Sequence, residues 1–327
     1  MKISKEKYEN LKKLANDDGV IAALAIDQRG SMRKMVSSFD EKLNNVEDIS
    51  RFKSLVSENL TKYSSSILLD PIYGLKAAKV RDKNAGLLLS YEVTGYDKED
   101  PERLPKLIDS WSGLRIKELG AEAVKILLYY DVDQDDKTND KKKAFIERVG
   151  AECEALGLPY FLEILTYDEN IEDSKSAEFA KIRPQKVIGA VKDFQDERFK
   201  IDVLKLETPV DMNFVEGFSE NPVYSQDEAK KYFKDQADAS KLPFIFLSGG
   251  VSAKLFKDTL IFAKEAGSNF NGVLCGRATW KGAVEEFAKS DEACKNWLKN
   301  EGTDNIQSLN QVLKDTAVSV FEKIEEK

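Results

Sequence analysis

The chain has 327 residues, of which 42% are apolar and 33% charged, with 58 acidic side chains against 50 basic ones and a formal charge of −8. That balance is opposite in sign to that of a nucleic-acid binder, and no run approaches the roughly 18 apolar residues of a membrane span. The chain contains no histidine at all, which excludes His-ligated zinc, Ser-His-Asp triads and any histidine base, so no metal and no cofactor is expected.

The first apolar run covers residues 20–26 and passes into Asp27-Gln28-Arg29-Gly30-Ser31, which places an acceptor, an amide and a cation at a strand end. A helical stretch follows over 48–62, then strands at 66–70 and 86–90. Asp70 and Glu92 stand at the ends of these two strands, although Asp70-Pro71 also reads as a turn. After a helical pattern at 104–119 comes a strand at 124–129 carrying Lys125. Asp131-Val132-Asp133-Gln134-Asp135 resembles the start of a calcium loop, but Asp136 and Lys142 occupy its glycine and glutamate positions, so it reads as an acidic loop leading into a helix at 141–156. Glu163 lies in the strand at 160–164, a long helical stretch spans 174–199, and Lys205 is enclosed by apolar neighbours in the strand at 203–207.

Residues 209–225 form a long connection suited to a lid. Beyond it come a helix at 227–237, a strand at 244–248 running into Ser248-Gly249-Gly250, and a helix at 253–266. The last strand, 272–276, runs into Gly276-Arg277 and precedes helix at 284–299. Residues 285–327 extend further as helix than closure alone requires. Strand–helix alternation repeated eight times predicts a (β/α)₈ barrel with a C-terminal helical extension, spanning 1–327 as one domain. The runner-up, an open doubly wound sheet, would need a glycine-rich phosphate loop after an early strand, and the sequence has none.

Strands of such a barrel are buried on both faces, so a charge inside one is costly and points to function. Side chains alternate, which puts Val203, Lys205 and Glu207 on one face. A lysine facing into a barrel serves as a nucleophile if burial and nearby cations lower its pKa; otherwise it is a structural partner of an acidic neighbour. Lys125 is placed to depress that pKa or to bind a hydroxyl or phosphate, and a buried Glu163 with a raised pKa is the natural acid/base in a protein without histidine. Asp27, Lys125, Glu163 and Lys205 all stand near C-terminal strand ends, where this fold carries its active site. Glycines after the last two strands let backbone N–H groups approach a phosphate, and Arg277 can clamp it.

The segments AIDQRGS (25–31), AVKILLYY (123–130), FLEIL (161–165), VLKLETP (203–209), FLSGGV (246–251) and GVLCGRATW (272–280) resemble, in order and over nearly the whole chain, the tagatose 1,6-diphosphate aldolases of lactose and galactose catabolism. The resemblance implies class I chemistry, with Lys205 forming a Schiff base and Glu163 as acid/base. It implies phosphate contacts from Ser248, Gly249, Gly250, Gly276 and Arg277, and a sugar bisphosphate of tagatose or fructose as substrate. Asp27 and Lys125 would orient hydroxyls and assist imine formation; Gln28 and Arg29 are candidates for the second phosphate. A cytoplasmic enzyme is expected, with a homodimer as the assembly considered. Two other readings stay open: a different Schiff-base aldolase or transaldolase, and a sugar-phosphate sensor on the same barrel.

Overall fold

The computed structural model describes residues 1–93 and 102–327. Eight parallel strands, β1 (Ile21–Ala25), β2 (Ser66–Leu69), β3 (Gly86–Ser90), β4 (Ala123–Tyr130), β5 (Tyr160–Thr166), β6 (Val203–Leu206), β7 (Phe244–Leu247) and β8 (Gly272–Cys275), pair in sequence order. β8 closes back on β1, with Ile21 opposite Gly272 and Leu24 opposite Cys275. The molecule is a (β/α)₈ barrel with helices between successive strands, as the alternating pattern leads one to expect.

The two-residue alternation of a strand sorts the apolar side chains into two cores. Ile21, Ala23, Ala25, Leu68, Leu88, Ala123, Phe161, Val203, Ile245 and Leu274 fill the barrel interior. Their alternating neighbours, among them Leu24, Ile67, Val124, Leu162, Leu204 and Phe246, pack outward under the helices. The N-terminal end of the barrel is plugged: Leu11 and Leu14 of helix Lys5–Leu14 join the interior core together with Ile3, Val320 and Ile324. Lys7 of that helix is buried between Asp202 and Glu154, 2.8 Å from each. Lys2–Ile3 and Glu325–Glu326 form a short parallel pair beneath the plug.

Four segments differ from the sequence expectation. In 104–119 only Gly113–Glu118 is helical; Pro105 lacks a donor, and the chain after it pairs with the residues just beyond β3, with Val93 N–H donating to Lys106 O and Ile108 N–H to Tyr91 O. The helix after β4 starts at Asp136, capped by Asp135, while Asp131 and Asp168 are drawn into an ion cluster on buried Lys186. The lid candidate 209–225 is anchored, because Val210, Met212 and Val215 are buried and Tyr224 Oη donates to Lys181 O at 2.7 Å. The C-terminal extension is helical only as far as Thr303–Thr316 and then turns under the barrel floor.

Candidate active site

Toward the C-terminal ends of the strands the barrel interior changes from aliphatic to ionic. Asp27 follows β1, Glu92 follows β3, Lys125 projects from β4, Glu163 from β5 and Lys205 from β6. Glu163 and Lys205 are register partners on adjacent strands, which puts Lys205 Nζ 2.8 Å from Glu163 Oε1. The other oxygen of that carboxylate lies 3.0 Å from Lys125 Nζ. Lys125 also reaches Asp27 Oδ2 at 2.7 Å and Glu92 Oε1 at 3.1 Å. The four residues singled out from four different strands therefore form one continuous chain of charge, Asp27–Lys125–Glu163–Lys205.

For Asp27, Lys125 and Glu163 burial acts against the charge, and the opposing neighbours decide the outcome. For Glu163, burial works to raise the carboxyl, but the ammonium groups of Lys125 and Lys205 outweigh it and hold its pKa below the usual value. The raised pKa expected for a buried glutamate is thus reversed, because two cations share the one carboxylate. Asp27 is likewise held well below the carboxylate range by Lys125 and Lys205 against the effect of burial. Lys125, buried among Asp27, Glu163 and Glu92, is held well above the usual lysine value. In this arrangement Glu163 is an anion able to accept a proton, and Lys125 a fixed cation.

Above Lys205 and Glu163 opens a cleft of about 210 Å³ whose walls include Gln28, Ser248, Gly249, Gly250, Gly276 and Arg277. Gly249 and Gly250 have φ of +58° and +82°, a left-handed conformation that only glycine adopts without strain. A Cβ on Gly250 would meet Arg277 Nη2 at 2.9 Å, so the guanidinium lies directly on the glycine backbone. The loops after β7 and β8 thereby present backbone N–H groups and a cation on one side of the lysine, which suits a phosphate.

A family model for DeoC/LacD family aldolases matches residues 21–282, which is the barrel from β1 through β8 and the turn beyond it. The chain is 54% identical over 325 residues to tagatose 1,6-diphosphate aldolase 1 of Streptococcus mutans, covering 99% of this chain and 100% of that one. It is 55% identical over 325 residues to the protein of the same name in Enterococcus faecalis, covering 99% of each. The chain belongs to the DeoC/LacD family of aldolases. Among solved structures, fructose-bisphosphate aldolase of Plasmodium falciparum superposes with a TM-score of 0.67 at 16% identity, covering 99% of this chain and 98% of that one. A Schiff-base-forming fructose-1,6-bisphosphate aldolase gives 0.59 at 16%, covering 94% and 99%. At that identity the likeness speaks for the barrel alone.

Three candidates of this DeoC/LacD aldolase, Asp27, Arg29 and Lys125, lie behind the cleft rather than on its walls, Asp27 and Lys125 in the ion chain just described. Arg29 is not among the cleft walls; it is buried, donating from Nη2 to the carbonyl of Glu92 at 2.7 Å and lying 3.4 Å from Glu92 Oε1. A cation whose neighbour is a buried carboxylate is drawn inward, away from the open mouth. The cleft instead has Lys175 and Ser174 on its wall, from the segment after β5. An exposed lysine in a polar loop carries no signal in the sequence. Asp70 is occupied structurally, ion-paired with buried Lys53 and accepting from the N–H groups of Ile72 and Tyr73 at 3.0 and 2.8 Å. Glu207 is turned to Arg183 and to Thr166, whose N–H and hydroxyl it accepts at 2.7 and 2.8 Å.

Proposed function

We propose that this aldolase cleaves tagatose 1,6-bisphosphate to dihydroxyacetone phosphate and glyceraldehyde 3-phosphate through a Schiff base on Lys205, in the breakdown of lactose and galactose. The observation that carries the reading is the 2.8 Å contact between Lys205 Nζ and the Glu163 carboxylate at the bottom of a cleft walled by Ser248–Gly250 and Arg277. The full-length relatives named tagatose 1,6-diphosphate aldolase supply the substrate.

The Lys205 amine adds to the C2 carbonyl, and loss of water leaves a protonated imine. Glu163 takes the proton from the C4 hydroxyl. The C3–C4 electron pair then flows into the imine, the C4 aldehyde leaves as glyceraldehyde 3-phosphate, and an enamine remains on the lysine. Protonation at C3 and addition of water release dihydroxyacetone phosphate and restore the amine. The low pKa of Glu163 suits this order, because the carboxylate is ionised when the substrate arrives. Asp27 and Lys125 orient hydroxyls and supply the fixed charges around the imine. Ser248, Gly249, Gly250, Gly276 and Arg277 hold the phosphate next to C2. With C2 at β6 and C4 facing Glu163 on β5, the far phosphate points toward the segment after β5, where Lys175 supplies a cation. The whole chain, 1–327, acts as one domain in the cytoplasm in this reading, and the plug of terminal segments under the barrel supports treating it as a unit.

Borohydride added with substrate is expected to fix a dihydroxyacetone-phosphate-derived mass on the peptide containing Lys205. Turnover that survives with no such adduct, and that stops on chelation of divalent metal, overturns the proposal.

A further inference from the structure

An ammonium group has three N–H bonds, and on Lys125 each points to a different carboxylate: Asp27 Oδ2 at 2.7 Å, Glu163 Oε2 at 3.0 Å and Glu92 Oε1 at 3.1 Å. These three acids are not equivalent. Asp27 and Glu163 retain 7% and 8% exposure, and Glu163 faces the cleft, whereas Glu92 is fully buried. Glu92 is itself fixed from two sides: its carbonyl accepts from Arg29 at 2.7 Å, and its residue bridges to Leu107 across the loop after β3. Its second carboxylate oxygen, Oε2, is buried and has no hydrogen-bond partner among the described residues. A buried carboxylate left half-satisfied is costly, and among the described residues that oxygen makes no helix cap or strand tether.

The geometry points to Glu92 as a positioning residue for the aldol reaction, holding the Lys125 ammonium between Asp27 and Glu163 while those two engage the substrate; this rests on the Schiff-base reading above. Substrate hydroxyls compete with Lys125 for Asp27 and Glu163, and Glu163 stops being an anion once it takes the C4 proton. Glu92, shut away from the cleft, keeps its hold on the ammonium throughout the cycle. Lys125 thus stays where its charge lowers the Glu163 pKa and faces the imine, and does not follow the carboxylate that happens to be charged. Arg29 has a part in the same device: it pins the backbone of Glu92 and balances its charge.

The charged groups that face one another here are Asp27 and Arg29 after β1, Glu92 after β3, Lys125 on β4, Glu163 on β5 and Lys205 on β6, with the Lys53–Asp70 pair behind Asp27. Burial pushes the Glu92 carboxyl above its usual value against the pull of Lys125 and Arg29, and at a pH where it is ionised, removing its charge makes this group more positive. Glu163 then loses its proton more readily and Lys125 holds its proton less tightly, so both limbs of the activity profile move toward acid.

The test is Glu92→Gln, which keeps shape and removes charge, compared with Glu92→Asp, which keeps charge at shorter reach, in the full-length enzyme. Glu92→Gln is expected to lower kcat by about a hundredfold, the scale of a misplaced catalytic group, with little change in KM and an acid-ward shift of the pH profile. Glu92→Asp is expected to keep the profile where it is and to recover part of kcat. A melting curve of each variant separates loss of folded protein from loss of rate. An unshifted profile in a folded Glu92→Gln protein, or a kcat loss that simply follows the loss of folded material, overturns the assignment. Wild-type enzyme that forms no borohydride adduct on Lys205 overturns the underlying reading, and the role of Glu92 with it.

Discussion

The two ends of the barrel interior are built from the same strands and do opposite things. At the N-terminal end Phe161 of β5 and Val203 of β6 belong to one apolar cluster with Leu11, Leu14, Val320 and Ile324. Two residues further along the same strands stand Glu163 and Lys205. The lower layer stabilises the fold by removing apolar surface from water. The upper layer takes up charges that pair only with one another, which contributes little or nothing to stability relative to an apolar filling. The cost is borne there because the chemistry needs an amine and a carboxylate out of bulk water.

If this division is real, substitutions in the two layers separate stability from activity. The largest expected effect is on turnover: Lys205→Met removes the nucleophile and is expected to bring cleavage to background and abolish the borohydride adduct, with a melting temperature equal to or above that of the wild type. Glu163→Gln comes next, losing about 10²- to 10⁴-fold in kcat, the range of general acid–base catalysis, while the adduct still forms; full activity would remove Glu163 from its role. In the lower layer Phe161→Ala is expected to lose about 3–5 kcal/mol of stability through the cavity it leaves, read by denaturant unfolding, with kcat retained in the protein that remains folded. A Phe161→Ala enzyme of normal stability and poor kcat would break the comparison.

A smaller effect sharpens it. Because the Glu163 pKa is lowered, the base is lost only as pH falls through that lowered value, so the acid limb of kcat/KM is expected below about 4.3, the ordinary glutamate value. An acid limb near neutrality would show Glu163 to be protonated in the free enzyme. The smallest expected change is in Gly250→Ala, where φ of +82° and the 2.9 Å approach to Arg277 should raise KM about tenfold, on the scale of roughly 1–2 kcal/mol for a left-handed residue, with kcat little altered.

The barrel was legible in the sequence because each strand is short, apolar and followed by amphipathic helix, and the strands observed match the expected runs to within a residue or two at each end. Asp27, Lys125, Glu163 and Lys205 were legible for a related reason: a charge inside an apolar strand has few uses. Their mutual ionisation was not. A single buried glutamate suggests a raised pKa, and only the convergence of Lys125 and Lys205 on Glu163 shows the opposite. Its place beside Asp27 and Gln28 points Arg29 toward the cleft, yet the acid that draws it inward, Glu92, is 63 positions away in the chain. The segment 104–112 misled because its apolar spacing suits a helix, whereas its hydrogen bonds go to the residues just after β3.

The parallel pair formed by Lys2–Ile3 and Glu325–Glu326 has a consequence for how the molecule is made. Residues more than 300 positions apart meet there, so the floor of the barrel cannot be sealed until Glu325 and Glu326 have left the ribosome. During synthesis the hydrophobic ends of the strands next to Leu11 and Leu14 wait open, a stage at which nascent chains are most exposed to chaperones and to aggregation.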